Sequence, residues 1–283
     1  MPKKVILDMS TKNEFDIYRY DGYMMYSVIL NRITAADNTI GTYVHDSPTS
    51  PISMSGLCGK FKAKDAIYHT VTTEQPYSMK IGVVDALENE IFNALMRPII
   101  FPEDHATPTL KLYDDNFVDG ELVITGCSSS GESLEDILRK SDKHDKLAGI
   151  SMNFKTPACI KILNSEGYVM FPESAWVFNS LMHKWNKVCS SDQQITFNRD
   201  DISRYVFVHP INGTYRGCRP VIDTQKQLFS HGFMCDCDYC FASNIPTDIK
   251  KDIYALSIFA EYSGIGSAVS RGCGCVDVSY KVI

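Results

Sequence analysis

The chain has 283 residues, is 44% hydrophobic, and carries a formal net charge of −6 from 28 Lys and Arg against 34 Asp and Glu. That length is too long for one small domain and suits two, and the hydrophobic fraction excludes a disordered chain. The start holds a basic pair with no apolar run behind it, and no stretch is apolar for long enough to span a bilayer. The expectation is a soluble, cytoplasmic protein with no secretory signal and no membrane partner.

Residues 4–7 are strand-like. Over 21–35, Tyr23, Tyr26, Leu30 and Ile33 recur at helical spacing behind Asp21, a residue suited to a helix N-cap. A polar, proline-containing loop is expected over 45–51, a strand within 52–66 and another over 77–83. Leu87, Ile91 and Leu95 share a helical face, and 110–113 and 118–125 are extended. The order strand, helix, strand, strand, helix, strand is that of a ferredoxin-like (RRM-like) domain. The polar run SSSGESLEDILRKSDKHDK reads as a connector.

The second half repeats the order. Residues 149–163 are extended, and Val177, Leu181 and Trp185 share a helical face behind Pro172. Strands are expected over 204–209 and 232–242. A helix over 247–262 has Ile249, Ile253, Leu256 and Ala260 on one face, Pro246 and Asp248 as start signals and Gly264 as stop. A last strand covers 275–282. The fold class expected is α+β, two tandem ferredoxin-like domains at 1–127 and 147–283 joined by a connector at 128–146.

The densest motif is YSGIGSAVSRGCGCVDV, which sets Gly264, Gly266, Gly272 and Gly274 between a helix and a strand. Glycines let backbone N–H groups turn toward an anion and let a phosphate chain come close. Ser267, Ser270 and Arg271 add polar and cationic partners. A helix cap and a turn would explain any one glycine; four at this spacing favour a phosphate-holding loop. The acidic balance runs against a nucleic-acid binder. A local groove can still be positive, however, drawn from Lys60, Lys62 and Lys64 or from Arg204, Arg216, Arg219 and Lys226.

The chain has ten cysteines, scattered in a protein too large to need staples, so reduced thiols are expected. Cys235, Cys237 and Cys240, with Cys273 and Cys275 as distant partners, lack the paired units of a zinc ribbon. Phe233, Cys235, Cys237, Tyr239 and Phe241 alternate instead, the pattern of one buried strand face, so no metal is expected. The Met and Tyr residues of 23–26 suit helix packing better than a base-stacking platform.

These motifs together resemble a known family. GIGSAVSRGCG is similar to the loop before the last strand in the repeat-associated CRISPR proteins, in the branch that processes precursor RNA. YVHDSPTSPISMSGLCG resembles that branch's histidine loop and next strand, and YSMKIGVVDALENEIFNAL the strand and helix that follow. ISMNFKTPACIKI and FPESAWVFNSLMHKWN, with Thr156-Pro157 and Leu181, Trp185 and Asn186, resemble the opening of its second domain. FSHGFMCDCDYCF resembles the strand before the last helix. The likeness runs over nearly the whole chain, and the order of the motifs is its specific feature.

The resemblance implies an endoribonuclease that cuts precursor CRISPR RNA within its repeats, without metal or cofactor. Attack by the 2′-hydroxyl would leave a 2′,3′-cyclic phosphate. His45, after the first helix, is the implied catalytic residue, since imidazole can act as base or acid near neutrality. The family often adds a tyrosine on the first helix and a lysine after the histidine. Leu30 holds the simplest matching helix position, which leaves Tyr26 and Tyr43 as alternatives. The first lysine after His45 is Lys60, followed by Lys62 and Lys64, which would stabilise the pentavalent phosphate or bind RNA backbone. The glycine-rich loop would hold RNA. The partner implied is CRISPR repeat RNA, bound by a monomer or a homodimer. The alternative is a non-catalytic RNA-binding subunit of a CRISPR effector complex.

Overall fold

The computed structural model describes residues 1–101, 107–114, 118–223 and 228–282. Strand β1 (Lys3–Thr11) buries Val5, Leu7 and Met9 in alternation. It is followed by β2 (Phe15–Tyr18), α1 (Gly22–Ala36), α2 (Asn38–Asp46) and the short strands β3 (Ile52–Met54), β4 (Cys58–Gly59), β5 (Lys62–Ala63) and β6 (Tyr68–Val71). Then come β7 (Tyr77–Val83), α3 (Glu88–Ile100) and a hairpin of β8 (Thr109–Asp114) and β9 (Val118–Gly131). The main sheet runs β3-β7-β1-β9-β8. Leu7 stands opposite Met79 on one side and Cys127 on the other. The first strand therefore sits between the third and the last of the ferredoxin-like order. Ile29 and Ile33 of α1 and Ile91 and Leu95 of α3 lie in the first hydrophobic core.

After α4 (Leu134–Ser141) the second half builds the same plan. Its elements are β10 (Leu147–Phe154), β11 (Ile160–Lys161), β12 (Tyr168–Val169), α5 (Ser174–Val188), α6 (Arg199–Tyr205), β13 (Val206–Pro210), β14 (Arg216–Cys218) and β15 (Val221–Asp223). They continue as β16 (Leu228–Phe229), β17 (Gly232–Met234), β18 (Asp236–Phe241), α7 (Thr247–Ser263) and β19 (Val276–Val282). The sheet runs β13-β18-β10-β19, and the protein is two tandem ferredoxin-like folds. Val177, Leu181 and Trp185 of α5 meet Ile253, Leu256 and Ala260 of α7 in the second core. The expected alternation holds from Phe233 to Tyr239: Phe233, Cys235, Cys237 and Tyr239 are all buried, while Phe241 at the strand end is half-buried. No described helix is long and apolar enough to cross a membrane.

The structure departs from the sequence reading in several places. His45 is not in a loop; it stands in the last turn of α2, which the sequence reading left out. Asp37 starts that helix, accepting hydrogen bonds from the N–H groups of Thr39 (2.9 Å) and Ile40 (3.0 Å). Gly41 lets α2 lie close on α1, since a Cβ there would meet Thr34 Oγ1 at 2.2 Å. Asp21 does not cap α1 with its side chain. It accepts instead from the Leu57 N–H at 2.8 Å, 36 residues away, and is buried. Strands β2, β6 and β5 form an additional three-stranded sheet. Residues 199–205 are helical, so the strand expected from 204 begins at Val206.

Backbone meets backbone where the halves join. A Cβ on Gly22 would lie 2.2 Å from the Arg271 carbonyl oxygen, and one on Gly82 would lie 1.8 Å from that of Tyr262. Ser53 Oγ donates to the Tyr262 carbonyl at 2.7 Å, and Lys80 Nζ donates to that of Val276 at 2.8 Å. Side chains of ordinary size would hold these elements apart.

Candidate nucleic-acid interface and active site

Helix α5 shows how the second half presents a polar face. Val177, Phe178, Leu181 and Trp185 are buried, so Trp176, Ser180, His183 and Lys187, at steps of three and four residues, fall on the other side. That side forms one wall of a cleft of about 910 Å³. Facing it are Tyr26 of α1, His45 of α2 and the segment 47–53, while residues 266–271 of the glycine-rich loop complete the lining. Lys187 reaches across and donates to Thr49 Oγ1 at 2.6 Å.

The charge of this cleft is opposite to that of the chain. Lys161, Lys184, Lys187, Arg199 and Arg271 line it together with His45 and His183, and no Asp or Glu is among the described lining residues. The net charge of −6 is therefore carried elsewhere. A concave site of one sign focuses its field on an incoming polyanion.

His45 has an exposed side chain, and its Nδ1 lies 2.8 Å from Asp46 Oδ1. A carboxylate on one ring nitrogen fixes the tautomer and leaves the other for proton transfer. Tyr26 is buried on the same side. Burial raises its hydroxyl above the usual phenol range, and the Arg271 guanidinium opposes that rise while Asp46 adds to it. The electrostatic neighbourhood of Tyr26 thus joins α1, the end of α2 and the glycine-rich loop.

The loop uses its glycines differently from the sequence expectation. Gly264, Gly266, Gly272 and Gly274 all have positive φ, between 61° and 85°. The N–H groups of three of them have partners within the protein: Gly264 donates to Ala260 O, Gly266 to Ser180 Oγ and Gly274 to Pro157 O. A Cβ on Gly274 would meet Ile265 O at 1.9 Å, and one on Gly272 would meet the Gly22 Cα at 2.6 Å. These residues let the loop fold on itself and press against α1. Ser267 Oγ donates to Cys159 O at 2.7 Å. Arg271 Nη1 donates to Ile222 O at 3.0 Å, and its guanidinium stands 5.7 Å from the Tyr23 ring centroid. Side chains of Ser270 and Arg271 rather than a ring of glycine N–H groups are what the loop brings to the cleft.

Lys184 anchors the loop. Its ammonium group donates to the carbonyls of Ser263 (3.1 Å) and Gly264 (2.9 Å), the C-terminal end of α7. The residue is half-buried, but its charged end is enclosed, and burial first, then the nearby Lys187, lowers it to about 7.

Of the residues singled out in the sequence, His45, Tyr26, Gly266, Ser267, Ser270 and Arg271 meet in this cleft. Gly264, Gly272 and Gly274 shape the loop behind it. Tyr43 is outside the lining; its hydroxyl donates to Asp85 Oδ1 at 2.7 Å. Lys60, Lys62 and Lys64 also lie outside it, by the small β2-β6-β5 sheet, where Lys64 is paired with Asp16. Lys226 lies outside the described residues. The sequence reading missed Lys161, His183, Lys184, Lys187 and Arg199. A signal for the α5 members was present, as the polar stripe opposite the predicted buried face.

Residues 152–276 match the family model described as CRISPR-associated endoribonuclease Cas6. Compared with curated protein sequences, the chain has no match. Among solved structures it is similar to a Cas6 product complex, with a TM-score of 0.69 and 14% identity over 99% of both chains. It is also similar to Thermus thermophilus Cas6, with a TM-score of 0.62 and 15% identity over 99% of this chain and 98% of that one. A Cas6-related protein from Pyrococcus furiosus matches with a TM-score of 0.63 and 13% identity over 99% of this chain and 98% of that one. At such identities the likeness is one of fold.

Proposed function

We propose that this chain, with the Cas6 family signature in its second half and the Cas6 fold throughout, is an endoribonuclease that processes CRISPR precursor RNA. The observation that carries the reading is the cleft: His45, the glycine-rich loop and five cationic side chains line it, free of described carboxylates, in a chain of net charge −6.

Repeat RNA lies in this cleft with its phosphates against Lys161, Lys187, Arg199 and Arg271. His45, oriented through Nδ1 by Asp46, takes the proton from the ribose 2′-hydroxyl at the scissile linkage. The 2′-oxygen attacks phosphorus, the bond from phosphorus to the 5′-oxygen breaks, a water molecule protonates that oxygen, and the resulting hydroxide takes the proton held by His45. The products are a 2′,3′-cyclic phosphate and a 5′-hydroxyl end. Arg271 and the Tyr26 hydroxyl stabilise charge on the phosphorane. Lys184 keeps the loop in place from behind.

The test is cleavage of a repeat RNA from the protein's own locus in EDTA, by wild type and by His45→Ala. Cleavage by the wild type alone, with a cyclic phosphate at the 3′ end, is expected. Binding without cleavage by the wild type would favour the alternative, an RNA-holding subunit of an effector complex. Equal rates for the two proteins would remove His45 from the chemistry.

A further inference from the structure

Trp176 is one of two tryptophans in the chain, and the two are placed very differently. Trp185 is 0% exposed and donates its Nε1–H to the Gln193 carbonyl at 2.8 Å. Trp176, at the N-terminal end of α5, packs partly on the second core and turns toward the cleft. The exposed Arg199 holds its guanidinium 4.4 Å from that ring's centroid and forms no ion pair among the described residues. The same cleft is lined by Lys161, Leu163 and Tyr168 of the β11–β12 hairpin. Leu163 is 83% exposed, a large apolar side chain lining a cationic cleft.

We infer that Trp176 and Arg199 form a stacking subsite for one unpaired nucleobase of the RNA, in a cleft that Leu163 and Tyr168 also line. An exposed cation–π pair is worth about 0.5–1 kcal/mol, and stacking a base on an aromatic ring about 1–3 kcal/mol. The base therefore displaces the guanidinium from the ring, and Arg199 turns to the phosphate of the same nucleotide. A continuous duplex has no free base face to offer, so this subsite selects RNA that is single-stranded, or has a base flipped out, at this wall of the cleft. Stacking tolerates any base, so the subsite sets strandedness rather than sequence. The inference rests on the RNA-processing reading and names the form of RNA that the site takes.

The two tryptophans make it measurable. Oligoadenylate of about twelve nucleotides, within the usual span of single-strand sites, is titrated into the full chain. Quenching of Trp176 emission is expected. Neither an abasic oligomer of the same length nor an RNA duplex should quench it. Trp176→Phe should lose the signal yet bind labelled oligoadenylate within about 3-fold of wild type. Trp176→Ala should bind it about 5- to 150-fold more weakly, the range of one stacked base. Unchanged emission of buried Trp185 in the variants confirms that they fold. Equal affinity of wild type and Trp176→Ala, or equal quenching by the abasic oligomer, overturns the inference. Repeat RNA cut at the same rate by Trp176→Ala removes the subsite and leaves the nuclease. Oligoadenylate stacking without repeat cleavage removes the nuclease and leaves the subsite.

Discussion

Replacing Gly22 with alanine probes the junction on which the cleft depends. Gly22 is the first residue of α1, with no positive φ to strain a side chain. Alanine there would favour the helix by up to about 1 kcal/mol. The new Cβ would, however, lie 2.2 Å from the Arg271 carbonyl oxygen and 2.5 Å from the Gly272 Cα. Both are backbone atoms, so no side chain can swing aside, and α1 and the loop must part by roughly 1 Å. Overpacking of this kind costs about 1–3 kcal/mol, and a clash between two backbones belongs at the upper end. A unit of this size loses about 2–4 °C of Tm per kcal/mol, so a fall of about 6–12 °C is expected in a thermal scan. The same displacement moves Arg271 relative to His45, and misplacement by about 1 Å can cost 10²-fold in rate. Gly213→Ala is the control. It has φ of 78° but nothing within 4 Å of a Cβ, so it carries only the left-handed backbone cost of about 1–2 kcal/mol. Should Gly22→Ala melt no lower than this control and cut repeat RNA at the wild-type rate, the close interdomain contact has been misjudged.

Asp21 supplies a pH test. Burial raises its carboxyl from 3.8 to about 7, so the folded protein holds this proton to higher pH than the unfolded chain does. Its contribution is fully present below about pH 4 and is lost as pH rises through 7. Asp21→Asn should therefore gain stability relative to wild type across that window, by up to about 4 kcal/mol at its alkaline end. A difference in denaturant midpoint that stays flat from about pH 4 to 8 would show that the carboxyl is not the titrating group. Salt titration tests the cleft: phosphate contacts from Lys161, Lys187, Arg199 and Arg271 to single-stranded RNA give a slope of log K on log salt of about −2.8. Arg271→Ala should reduce that slope by about 0.7, while Lys60→Ala should leave it unchanged. The reverse pattern would move the RNA path to the β2-β6-β5 sheet.

Much of the fold was written in short-range pattern. The face of Ile253, Leu256 and Ala260 with Gly264 as its stop, the alternation of Phe233 to Tyr239, and the repeated element order all rest on neighbours within a turn or a pleat. Their physics is local, and the structure bears them out. Helix α2 escaped because Thr39, Gly41 and Thr42 are weak helix formers; it is held by the Asp37 cap and by packing on α1. Asp21 looked like a local cap and serves instead as a distant acceptor for Leu57.

The candidate site divides the same way. His45 and the glycine-rich loop could be singled out in the sequence as motifs. Their meeting with His183, Lys184, Lys187 and Arg199 could not, because Lys187 and Thr49 touch across 138 residues of chain. Composition summed every charge into one acidic total, whereas a cleft responds only to the charges that line it. The sequence by itself determined two ferredoxin-like units and the glycine-rich loop before the last strand of the second. Only the tertiary structure decided that the loop's glycines serve close backbone contact and that the cations of α5 face His45. The physical reason is that periodicity records which face of an element is buried, but not which other element covers it or what the exposed face meets.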